Sequence, residues 1–218
     1  MLLFTSIAFA QSEQPFEVVK AERSESFSVS YGAANHDRKA PFVYAYEEPK
    51  GQNWIMSIEN TLSYVAREDA KVVVILRDEA PSEKYIELQM FGGEHRKYSV
   101  WTSIPETGYS NIYLNEERGW WTDQPIGLSF SGVSGLTVTD GKRTVVDRLN
   151  IGTFNLSSIE VYGKDEQGAL SNAHAGKLGI GVIYGSPAET PVYLVPAIVT
   201  AGMGGVVGLL LLVKKRKK

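Results

Sequence analysis

The chain has 218 residues, 43% hydrophobic and 22% charged, the composition of a folded globular domain with a sizeable core. It has no cysteine, so disulfides, thiolate metal sites and cysteine nucleophiles are excluded. Five of its 22 basic residues form the terminal run Lys214, Lys215, Arg216, Lys217 and Lys218, leaving 17 basic against 25 acidic residues and a net charge of −8 elsewhere. A body so charged repels phosphate backbones, and no nucleic-acid partner is expected.

In chain order, Leu2 to Ala10 is almost wholly apolar or small and ends in Ala8-Phe9-Ala10, the small-x-small form of a signal-peptidase site. Residues 1–10 are therefore expected to be a signal peptide, or else a first strand from Leu2. No basic residue precedes the stretch, so its start is read as truncated. From there the hydrophobic period is two. Phe27, Val29 and Tyr31 alternate with serines, and Ile86, Leu88 and Met90 alternate with Tyr85, Glu87 and Gln89. Ile126, Leu128 and Phe130 form a third such set, and Leu178, Ile180, Val182 and Tyr184 a fourth. Lys71 to Arg77 is continuously apolar between charged ends, which predicts a central strand covered on both faces. Glu59 to Asp69 is the one stretch with a helical face, through Leu62, Val65 and Ala66. Asp140-Gly141, between two β-prone runs, predicts a two-residue type I′ hairpin.

Strand signals between regularly spaced turns predict an all-β fold, an antiparallel β-sandwich or jelly roll over residues 11–185. Residues 186–191 read as a short linker. Val192 to Val213 carries no charge and as a helix would extend roughly 33 Å, enough to cross a bilayer core of ~30 Å. The basic run follows it at once, so the chain is expected to be a single-pass membrane protein with its sandwich outside and residues 214–218 in the cytoplasm. Ala197, Ala201, Gly204, Gly205 and Gly208 give this span small-residue faces that suit packing against another integral membrane protein.

Chemistry-bearing motifs are few. His36, His95 and His174 sit in turn-like surroundings with no second ligand at metal spacing, and no nucleophile elbow, P-loop or dinucleotide fingerprint occurs. The expectation is a protein that is not an enzyme and has no resident metal or other cofactor; calcium held by loop carboxylates is the one ion this chemistry leaves open. The aromatic stretch Gly108–Asp123 is the candidate contact surface, with Tyr109, Tyr113, Trp120 and Trp121 beside Asn115, Arg118 and Asp123. Adjacent tryptophans on a strand point to opposite faces, so one ring is exposed to a sugar, a protein partner or lipid, or else one fills the core and the other covers a loop. Asn155-Leu156-Ser157 is a glycosylation sequon.

Lys71 to Gly163, with runs such as Tyr85-Ile-Glu-Leu-Gln-Met90 and Leu156-Ser-Ser-Ile-Glu-Val-Tyr-Gly163, resembles galactose-binding-like jelly rolls. The resemblance implies a fold that many carbohydrate-binding modules use, and no site residues. The ending resembles the tripartite tails of prokaryotic sortase substrates, but no sorting motif precedes Pro191, so the span is read as permanent. Two functions stand from the sequence: an accessory or structural subunit of a membrane or cell-envelope assembly, and a surface-anchored module for an external glycan or protein.

Overall fold

The computed structural model describes residues 19–64, 70–93, 95–116, 119–120, 124–141, 143–164 and 173–187. Two six-stranded antiparallel sheets pack face to face. The first contains β1 (Val19–Ser30), β3 (Asn53–Asn60), β9 (Ile126–Ser131), β10 (Gly135–Asp140), β11 (Arg143–Leu149) and β14 (Lys177–Pro187), in the order β1-β14-β3-β9-β10-β11. The second contains β2 (Phe42–Lys50), β5 (Lys71–Asp78), β6 (Tyr85–Phe91), β7 (Tyr98–Ile104), β8 (Gly108–Asn115) and β12 (Leu156–Tyr162), in the order β2-β12-β5-β6-β7-β8. A small ribbon pairs β4 (Ser63–Tyr64) with β13 (Ala173–Ala175).

The period of two explains this arrangement, because it gives each strand one apolar face to bury. Met56, Ile58, Leu128, Phe130, Ile180 and Val182 of the first sheet meet Val72, Val74, Leu88, Met90, Val100 and Ile159 of the second in one core. Trp54, Phe130 and Phe154 form an aromatic knot within it, with centroids 5.9 to 6.1 Å apart. At one open edge Glu25 of β1 ties the sheets together. It accepts hydrogen bonds from Tyr184 of β14 at 2.7 Å and from Tyr44 of β2 at 3.1 Å. The Tyr184 bond in particular holds its carboxyl below the usual range.

Several expectations change here. Glu59 and Asn60 end β3 instead of starting a helix, and the one helix among the described residues is the single turn α1 (Tyr31–Ala34), capped by Ser30. The hairpin turn lies one residue later than expected: Asp140 pairs with Arg143, and Gly141, at φ +58°, is the first turn residue. β14 runs to Pro187, across the expected domain boundary at 185. No helix among the described residues is long and apolar enough to cross a membrane; the expected span 192–213, the tail and the leader 1–10 all lie outside them.

Candidate functional site

The strands of the second sheet bury one face in the core and turn the other outward, and their register arranges the outward side chains in rows. One row runs Glu160, Ile75, Glu87, Trp101, Asn111 across β12, β5, β6, β7 and β8. Beside it run Ser158, Arg77, Tyr85, Ser103, Tyr109 on one side and Tyr162, Val73, Gln89, Ser99, Leu114 on the other. Directly paired residues share a face, so these fifteen positions form one surface.

This surface is unlike an ordinary solvated face. Val73, Ile75 and Tyr162 are buried there as a second apolar cluster with Tyr85 packed on it, which accounts for the continuous apolar run of β5. Glu87, 3% exposed, and Gln89, 8%, lie with them as a sheltered floor, while Tyr109 stands 47% exposed. Tyr109 of β8 thus stands beside a floor formed by β5, β6 and Tyr162 of β12.

The floor is hydrogen-bonded to its flank. Glu87 Oε1 accepts from the Tyr109 hydroxyl at 3.2 Å and from the Gln89 amide, whose Oε1 in turn accepts from Lys71 at 3.5 Å. Burial and the adjacent Glu87 charge push the Tyr109 hydroxyl well above the ordinary tyrosine value, so it stays protonated and donates. Tyr109 and Trp101 stack at 4.8 Å with rings 9° from parallel, and the Trp101 indole N–H donates to Ser99 Oγ at 2.9 Å. Arg77 lies over the Tyr85 ring, 4.9 Å from its centroid, and pairs with Glu160 at 3.0 Å.

Of the candidate contact residues among those described, Tyr109 alone stands on this face. A register shift opposite Val100 and Trp101 makes Ile112 an extra residue in β8, so Tyr109 and Asn111 point outward while Tyr113 and Asn115 point inward. Inside, Asn115 accepts from the Gly119 amide at 3.0 Å and lies 3.4 Å from the buried Asp140. Trp120, 1% exposed, is a core residue whose indole N–H donates to the Phe91 carbonyl at 2.8 Å. Trp121, Arg118 and Asp123 lie outside the described residues, as do Ala197, Ala201, Gly204, Gly205 and Gly208. Asn155 is half-buried, its side-chain amide on Glu79 at 3.2 Å. His36, His95 and His174 are exposed on separate turns and strands, and among the described residues no three or more histidine or carboxylate groups gather as metal ligands. Trp101, Tyr85 and Glu87 were not among the candidate contacts, although Tyr85 and Glu87 stood in plain view on the outward beat of β6.

No family model matches the chain, and no curated protein matches it. Solved structures are similar to it over part of its length. A prokaryotic β-1,3-1,4-glucanase (lichenase) from a mouse hindgut metagenome has 12% identity and a TM-score of 0.45, over 67% of this chain and 71% of that one. A Bacillus licheniformis β-glucanase has 10% identity and a TM-score of 0.43, over 63% and 68%. A carbohydrate-binding module from Bacillus subtilis has 9% identity and a TM-score of 0.36, over 73% and 92%. The expectation of a non-enzyme is corrected by these findings: glucanases stand among the similar structures. No residue role passes to this chain from a likeness of fold.

Proposed function

We propose that the outward face of the second sheet binds a glycan, with Trp101 and Tyr109 as the stacking surface and Glu87, Gln89 and Asn111 as partners for sugar hydroxyls. The parallel Trp101–Tyr109 pair beside a sheltered carboxylate and amide carries this reading. Sugar rings present C–H faces that pack on aromatic rings and hydroxyls that need oriented polar groups, and this face supplies both within adjacent rows. The test is a glycan array probed with the full-length protein in mild detergent. Trp101→Ala and Tyr109→Ala are each expected to weaken the strongest signal about tenfold, or about 1.4 kcal/mol. Binding that survives both substitutions would sink the proposal.

In the same proposal Val192–Val213 anchors the domain in a membrane, with Lys214 to Lys218 on the cytoplasmic side. Only residues 188–191 separate β14 from Val192, which would hold the binding face near the bilayer. No observation among the described residues favours the accessory-subunit reading over this one.

A further inference from the structure

The outward face holds a buried carboxylate that no cation meets. Glu87 is 3% exposed, and both of its hydrogen bonds arrive on one oxygen from neutral donors, the Tyr109 hydroxyl and the Gln89 amide. Among the described residues neither a hydrogen bond nor an ion pair reaches its second oxygen. The two cations of the face are engaged elsewhere: Arg77 with Glu160 and the Tyr85 ring, Lys71 with Gln89 Oε1 and the Phe91 ring. A carboxylate with no cation beside it attracts a cationic ligand group more than a neutral one. The rings around it act in the same direction, since Tyr109 and Trp101 present electron-rich faces that attract an ammonium group. Arg77 over Tyr85 shows that this face already holds a cation on an aromatic ring. The chain outside its terminal basic run is acidic overall, which favours approach of a positive ligand.

Building on the glycan reading, we propose that the ligand is a glycan bearing free amines, of the glucosamine-oligomer class, with one protonated amine on the second oxygen of Glu87. An acetamido group brings no charge to meet that carboxylate.

Isothermal titration of the full-length protein in mild detergent decides it, using hexamers of β-1,4-linked glucosamine, N-acetylglucosamine and glucose. The glucosamine hexamer is expected to bind at least tenfold more tightly than the other two, with an advantage that shrinks as salt is added. Glu87→Gln, nearly isosteric, is expected to bring the three to parity. Parity in the unmodified protein, or a preference that persists in Glu87→Gln, overturns the amine assignment and leaves the glycan reading standing. Failure of all three hexamers to bind overturns the amine assignment, and the glycan array decides the glycan reading. Oligolysine that outcompetes the glucosamine hexamer also overturns the proposal, since the ligand would then be a peptide. Should Glu87→Gln not fold, the unmodified protein still gives an answer. Its preference must vanish as rising pH strips the proton from the sugar amine, and a preference insensitive to pH overturns the assignment.

Discussion

Replacing Trp120 by alanine separates a structural tryptophan from a ligand-binding one. The ring is 1% exposed, packs 5.3 Å from Tyr64 and carries the Arg96 guanidinium 5.0 Å from its centroid. Its indole N–H donates to Phe91 O and its backbone N–H to Arg96 O, both at 2.8 Å, so it pins the segment between β6 and β7. Truncating a buried tryptophan costs about 3–5 kcal/mol, and the indole hydrogen bond adds about 1 kcal/mol. For a domain of this size each kcal/mol moves Tm by about 2–4 °C, so about 4–6 kcal/mol is a fall of roughly 8–24 °C. Thermal melts followed by circular dichroism measure it, with Trp101→Ala as the comparison. Trp101 loses a stacked pair worth about 0.5–1.5 kcal/mol, so that variant should melt within a few degrees of the parent. A Trp120→Ala protein that melts with the parent would refute the core assignment and return Trp120 to the list of ligand contacts.

Two further substitutions test the frame. Glu25 has a depressed folded pKa, so the stability it contributes is present above its unfolded value near 4.5 and is lost as pH falls through the folded one. Glu25→Gln should flatten that acid limb of a Tm-against-pH curve, and superimposable acid limbs would contradict the sheet-bridging role. Gly176 sits at φ +86°, where a Cβ would collide with the Thr61 carbonyl. Gly176→Ala should therefore cost at least about 1–3 kcal/mol in urea denaturation, and an unchanged midpoint would show that this crossing of the chain is loose.

Strand identity was legible because alternation is a local property: β6, β9 and β14 carry theirs in plain sight, and the apolar run of β5 announced burial on both sides. The face each β8 residue takes was not legible. Tyr109, Tyr113 and Asn115 are all an even number of positions apart and read as neighbours, yet the extra residue Ile112 reverses the phase between them. The candidate site was hidden for a related reason. Glu160, Glu87, Trp101 and Asn111 come from four strands, and only the pairing of strands distant in sequence brings them into one row. Trp120 takes the core alternative that the tandem tryptophans left open, its indole finding a carbonyl acceptor inside.

The pairing of β1 with β14 has a consequence for how the domain can be handled. Val19 lies directly opposite Pro187, so the chain enters and leaves the sandwich about 5 Å apart. Entry and exit that close allow the whole unit to be spliced into a surface loop of another protein with little spreading of that loop. They also allow the two ends to be joined and the chain reopened elsewhere, for instance at Gly141, giving a circular permutant with the same two sheets.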